Sequence, residues 1–219
     1  MSIYLEYRKR RAVTEFDSTA DIQQSTIDRL LRHAWEVTPS KNNFMAYSIH
    51  VLGPKHQDYK NLVYQNCLAK ESVTDRVDAL ARYSDPTRPP PFYSNILSCS
   101  YLLIFTMRLE DQPSLYHQDA MKRGHLFEAF DEKRLETIVT GVHLEVGMFA
   151  DVFAGLCVEQ DLAVSYVGCF PRTMEEWKPL PFVTRRPILL MPVGKAKQYK
   201  NQNRHNHKPN YNRIVNFVD

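Results

Sequence analysis

Ile27, Leu30, Leu31, Ala34 and Trp35 recur at the i, i+3, i+4, i+7, i+8 spacing that places apolar side chains on one helix face. Asp21 or Ser25 is positioned to cap that helix. Pro39 disfavours helical geometry at Thr38, so the helix stops near Val37. Tyr47 to Leu52 alternates like a strand and is closed by Gly53-Pro54. Leu62, Val63 and Leu68 suggest a second helix, and Val73, Val77, Leu80 and Ala81 a third. Pro86, Pro89, Pro90 and Pro91 make the stretch from Asp85 to Phe92 an extended loop. Ser100 to Met107 is a continuous apolar run, the mark of a strand buried on both faces.

Residues 108–132 are charged and read as a helical excursion over the core. The strongest periodicity follows, from about Glu132 to Gln160. Ile138, Val142, Val146, Phe149, Phe153 and Leu156 keep one face, and Leu135, Val139 and Val152 widen it, so this helix is buried on most sides. Ala163 to Val167 and Pro187 to Val193 are strand candidates, and Arg213 to Val218 ends the chain with another. Strands mixed with one long central helix predict an α+β domain.

Composition narrows the classes. The chain has 219 residues, long enough to bury a core without disulfide or metal staples. Seven glycines and 13 prolines exclude collagen-like and Gly-rich disordered chains. Lys and Arg number 28 against 25 Asp and Glu, and the resulting +3 does not argue for bulk nucleic-acid binding. The four cysteines, Cys67, Cys99, Cys157 and Cys169, show no metal or disulfide spacing and read as reduced thiols of a cytoplasmic protein. The start, Met1 to Arg8, lacks a signal-peptide apolar run, and no uncharged apolar stretch is long enough to predict a membrane span.

Hydrolase, P-loop, Rossmann and zincin signatures are all missing. Glu128, Asp131 and Glu132 read as a solvated helix face, and His205 and His207 as part of a solvated tail. His143 and Glu145, two residues apart on a helix, do not share a face as a metal pair would. Two basic features stand out. Arg8-Lys9-Arg10-Arg11 lies near one end, and Lys195, Lys197, Lys200, Arg204, Lys208 and Arg213 lie near the other. Brought together they would suit a phosphate group, which Arg binds bidentately.

Arg10-Arg11-Ala12-Val13-Thr14-Glu15-Phe16 resembles the opening motif of the FMN-dependent nitroreductases, R-[RH]-S-x-[RK]-x-F. The order that follows is also similar: an amphipathic helix, the loop Pro39-Ser40-Lys41-Asn42-Asn43 running into a strand, and a long apolar helix. Val167-Gly168-Cys169-Phe170 then stands where that family carries its G-G-F or E-G-F element, and Pro192-Val193-Gly194 precedes a basic tail. The resemblance covers most of the chain.

It implies a single nitroreductase-like α+β domain over 1–219, with a mixed or antiparallel central sheet, a long buried helix and a C-terminal arm from about 195. It implies FMN as cofactor, NADH or NADPH as donor, a small-molecule acceptor of the nitro-aromatic or quinone kind, and a homodimer, with no nucleic acid and no membrane. Residue by residue, Arg10 and Arg11 match the cations at the phosphate and ribityl chain, completed by Arg204 and Lys208. Ser40 and Asn43 match the loop along the isoalloxazine edge, and Asn95 the amide partner of its pyrimidine ring. Gly168 and the adjoining amide of Val167 match the backbone that reaches flavin N5. Ala12 stands where the family has a phosphate-binding Ser, and Thr14 where it has a cation near flavin N1. No acid or base is obligatory for such chemistry, so no catalytic side chain is assigned. Two alternatives remain: a same-fold flavin-degrading enzyme that forms dimethylbenzimidazole, and a basic nucleic-acid-binding protein without flavin.

Overall fold

The computed structural model describes residues 13–40, 45, 47–73, 94–107, 132–168, 170–171 and 173–199. The helix expected at Val73 to Ala81, the loop from Asp85 to Phe92, the excursion at 108–132 and the strand at Arg213 to Val218 fall outside these residues, save Val73 and Glu132.

The first element among the described residues is strand β1, Val13–Phe16. Helix α1, Gln24–Val37, buries Ile27, Leu30 and Ala34 and ends where Pro39 requires. Its cap differs from expectation. Gln23 occupies the capping position with no side-chain cap. The Asp21 carboxylate is taken instead by the Gln23 amide, at 2.9 Å.

Strand β2, Tyr47–Leu52, follows, then a short 3₁₀ turn at Pro54–His56 and helix α2, Gln57–Val73. A short helix α3, Ser94–Ser98, leads into strand β3, Tyr101–Met107, in which every residue is buried. The long helix α4 runs over Glu132–Glu159. It stops without a glycine: Asp161 takes the left-handed conformation, φ 54°. Leu162 N then donates to Cys157 O, at 2.8 Å, and Asp161 N to Val158 O, at 3.0 Å. These two bonds are the Schellman pair that satisfies the helix's last carbonyls.

Strand β4 is only Ala163–Val164, shorter than expected, and Val167 adds an isolated bridge to Leu190. Strand β5, Pro187–Gly194, carries a proline at its centre, Pro192. The N–H and C=O of one strand residue point the same way. Pro192 O accepts from Ser165 N, at 3.0 Å, so the missing N–H lies on the side where β4 has already ended. Strand β6, Ala196–Tyr199, follows. The first residues of the arm expected from about 195 thus pair with β1, and residues 200–219 lie outside the described ones.

The main sheet is antiparallel in the order β2-β3-β5-β4. β1 and β6 form a separate antiparallel pair. Helices α1 and α4 cover one face, over a core containing Leu103, Phe105, Val146, Phe149 and Phe153. On the other face α2, α3, β1 and the 170–183 segment enclose Leu102, Ile104, Val63, Ile96, Phe170 and Trp177. Within α4, Gly141–Glu159 is apolar and long enough to cross a membrane by composition. In the fold Val142, Val146, Phe149 and Phe153 of this stretch are buried in the first core, the behaviour of a core helix.

Candidate functional site

Three segments remote in sequence meet at one carbonyl. Val13 O of β1 accepts from Ser165 Oγ at 2.9 Å and from Asn95 Nδ2 of α3 at 3.4 Å. At the other end of β1, Phe16 N donates to Ser98 Oγ, at 3.0 Å. Asn95 Oδ1 is buried with no hydrogen-bond partner among the described residues. An orphaned acceptor in the interior costs its full desolvation unless a donor arrives.

Beyond Ser165, the N–H of Val167 donates to Leu190 O at 2.9 Å, and its C=O accepts from Leu190 N at 3.2 Å. Gly168, next along, is exposed, and a Cβ placed there would meet nothing within 4 Å. On β1, Thr14 Oγ1 donates to Gln198 O of β6 at 3.3 Å. Behind α3, Lys60 is buried and its Nζ donates to Cys99 O at 2.8 Å and Ser100 O at 3.0 Å. Burial lowers the Lys60 pKa, and burial pushes the adjacent Cys99 thiol up to about 12.

A second group lies on the opposite face of the sheet. Ser40 Oγ donates to Glu145 Oε1 of α4 and accepts from Met45 N, both at 2.9 Å. Met45 sits at φ 43°, a strained value for a residue with a side chain, and the Ser40 bond holds it there. The Tyr47 hydroxyl is buried without a partner. Burial and the Glu145 charge push its pKa above the ordinary phenol value. Beside this group, between α1 and the edge strand β2, is a cleft of about 530 Å³ lined by Leu31, Trp35, Met45, Ile49 and Phe149. Among the described residues no His, Cys, Asp or Glu group could hold a metal.

No protein-family profile matches the chain, and no curated protein matches it. Solved structures do. A nitroreductase-like protein from Streptococcus mutans aligns with a TM-score of 0.65 at 18% identity, over 99% of this chain and 98% of that one. The chain has the nitroreductase fold. A protein from Exiguobacterium sibiricum, assigned as a nitroreductase and solved in complex with FMN, aligns at 0.66 and 12% identity over 100% and 98% of the two chains. A BluB-like flavoprotein from Clostridium difficile aligns at 0.66 and 16% identity over the whole of both.

Within the nitroreductase fold the residues expected from sequence divide. Thr14, Asn95 and Val167 belong to the β1–α3–β4 side, with Val13 and Val167 packed in its core, and Gly168 follows Val167 at the surface. Ser40 belongs to the α1–α4 side through Glu145. Arg10, Arg11, Ala12, Asn43, Arg204 and Lys208 lie outside the described residues. Both Val167 backbone groups are engaged by Leu190, so of the expected pair only Gly168 lies on the exposed surface. Ser165, Lys60 and the tie from Ser40 to Glu145 were not anticipated. For Lys60 the signal was present: Lys60, Val63, Tyr64 and Cys67 follow i, i+3, i+4, i+7, which places a cation on the buried stripe of α2.

Proposed function

We propose that the protein is an FMN-dependent oxidoreductase, drawing electrons from NADH or NADPH and passing them to a small acceptor of the nitro-aromatic or quinone kind. The observation that carries this reading is Asn95. Its Oδ1 is buried and unpartnered, while its Nδ2 bonds the strand that continues from Arg10-Arg11-Ala12. An acceptor so placed suits the imide N–H of a flavin pyrimidine ring. Gly168 is exposed and carries no side chain, which suits a flat ring laid against it.

When bound, FMN supplies the two-electron exchange between donor and acceptor. The chain binds and orients it. Arg10, Arg11, Arg204 and Lys208 would hold the phosphate, and Asn95 and Gly168 the ring. Thr14 leaves one side of the ring without a cation, which disfavours negative charge there. Ser40 spends its hydroxyl on Met45 and Glu145, so its contribution is the shape of the loop it closes.

The same reading takes the working form to be a cytoplasmic homodimer. Ser40 and Asn95 lie on opposite faces of one sheet, so a flavin touching both loops draws them from two chains. Trp35, Val37 and Leu144 are more than half exposed, at 58%, 54% and 65%. A second copy would cover them, with residues 210–219 reaching across.

Purified protein should be yellow and should quench added FMN fluorescence at a ratio near one per chain. Arg10→Ala should weaken FMN by about ten- to a hundredfold, the worth of one charge-assisted bond, and leave riboflavin nearly unchanged. Colourless protein that also fails to quench FMN overturns the reading. Deleting residues 210–219 should weaken the dimer in light scattering together with FMN binding. A truncated chain that stays dimeric and yellow overturns the dimer part.

A further inference from the structure

Ser165 joins two parts of the chain that the proposed function needs at opposite ends of one ligand. It is buried. Its backbone N–H donates to Pro192 O at 3.0 Å, which fixes it to β5. Its hydroxyl donates to Val13 O at 2.9 Å, which fixes β1 to it. Two residues onward, Val167 is fixed to the same strand by both of its backbone groups. Ser165 is therefore a bracket with one arm on the sheet and one on β1. Val13 directly follows Arg10-Arg11-Ala12, and Gly168 directly follows Val167. β1 needs such a bracket. It has four residues and pairs only with β6, through a register broken by shifts.

We infer that Ser165 is a positioning residue for FMN, setting the spacing between β1, which directly follows Arg10-Arg11-Ala12 in sequence, and the backbone that meets the flavin ring. The inference rests on the FMN reading above. Its physical basis is the gain from engaging two subsites with one ligand. Once the ring is seated, the phosphate finds its cations at an effective concentration fixed by how well the two subsites are held apart. Slack between them dilutes the second contact without removing it. Asn95 Nδ2 shares Val13 O at a longer 3.4 Å and is not placed to substitute for the hydroxyl. Riboflavin has no phosphate, engages one subsite only, and is indifferent to the slack.

The test compares FMN with riboflavin on the full chain by fluorescence quenching, with the melting of the flavin-free protein measured alongside. Ser165→Ala should raise the FMN Kd by roughly five- to tenfold, the usual worth of one neutral hydrogen bond, and move the riboflavin Kd less than about twofold. The ratio of the two Kd values therefore falls towards one. Ser165→Thr keeps the hydroxyl and should restore the wild-type ratio. Ser165→Cys, close in size but with a weak S–H donor, gives the same fall as alanine and serves if the alanine chain does not fold. An unchanged ratio in the alanine or cysteine chain, or equal losses for both ligands, overturns the inference while leaving the FMN reading standing. Wild-type protein that binds neither ligand overturns both.

Discussion

Tyr101, Leu103, Phe105 and Met107 point from β3 into a core closed by α1 and α4, whereas Leu102 and Ile104 point into one closed by α2, α3 and the 170–183 segment. The first core is joined by aromatic contacts: Tyr47, Phe105 and Phe149 meet edge-on or tilted, and Phe149 stacks on Phe153 at 6.4 Å. Its polar groups are fewer: Thr38 and Glu145 lie beside Ser40, the Tyr47 hydroxyl is buried among the rings, and the Tyr101 hydroxyl donates to Ile22 O at 2.8 Å. The second core is pinned by polar side chains that each reach a backbone group or another polar side chain: Lys60, Asn95, Ser98, Thr106 and Ser165. Apolar packing is non-directional and tolerates small shifts. Hydrogen bonds fix a distance and an angle. The face that holds Asn95 and Val167 is thus the one where position is specified, and the face behind α4 is the one where stability is made.

That contrast can be broken in several places. The largest effect belongs to the aromatic face. Phe149→Ala should cost about 3–5 kcal/mol in denaturant unfolding, yet the molecules that remain folded should bind FMN with near-normal affinity. A large loss of affinity in the folded fraction would erase the division of labour.

Lys60→Met comes next. It strands two carbonyls and should cost roughly 2–3 kcal/mol near neutral pH. The pH dependence carries its own sign. Burial holds the Lys60 ammonium below its ordinary 10.5, so the unfolded chain binds that proton more tightly. Wild-type stability therefore gains from Lys60 as pH rises from the lowered value towards 10.5. The methionine variant lacks that gain, so the gap between the two proteins should widen across this window. Cys99, pushed up to about 12 in the fold from 9.0 when unfolded, lowers stability in the upper part of this window, but it does so in both proteins and drops out of the gap. A gap that stays constant with pH would show that the site titrates normally.

Ser40→Ala is smaller, about 1–2 kcal/mol, because it leaves Met45 N and a Glu145 oxygen short of one partner. Its sharper consequence is local: Met45, no longer held at positive φ, should become the first amide of the β2 entry to exchange with solvent. Unchanged exchange protection there would mean that the loop keeps its shape without the hydroxyl.

The smallest effect is at His50, whose ring packs on Phe182 and touches Thr106 Oγ1 at 3.1 Å. Burial lowers its pKa below 6.5. The unfolded chain then takes up the proton first, and stability declines as pH falls from 6.5 towards the lowered value. His50→Gln should show a shallower acid decline in thermal melting, and an identical decline would place the acid sensitivity elsewhere.

The aromatic face was legible from sequence and the pinned face was not. α1, β2, β3, α4 and β5 announce themselves by apolar spacing, because burial against a broad surface imposes a period on the chain. β1 and β6 do not. Each has four residues, the middle of β1 is half-buried, and most of β6 is exposed. Their pairing is set by neighbours far along the chain. The anchors Ser165 and Ser98 carry no periodic signal, since a serine in a loop looks the same whether its hydroxyl meets water or Val13 O. For the residues expected to meet flavin, the motif order fixed only their sequence along the chain: Thr14, Ser40, Asn95, Val167, Gly168. It did not reveal that Ser40 lies on the other face, because a linear motif does not say which side of a sheet each piece will occupy.

Gly194 has a consequence for the order in which the protein is made. A Cβ there would lie 2.9 Å from Phe16 Cδ1 and 3.3 Å from Ser100 N, so the ring of Phe16 lies flat against the turn between β5 and β6. Phe16 is not fully enclosed until that turn exists, and the hydroxyl of Thr14 reaches a carbonyl 184 residues further on. Closing a loop of that length from the unfolded chain costs roughly 4–5 kcal/mol of entropy. During synthesis the β1–β6 pair forms only after the sheet and α4 have been made. A nascent chain halted before residue 194 holds β1 by Asn95, Ser98 and Ser165 alone.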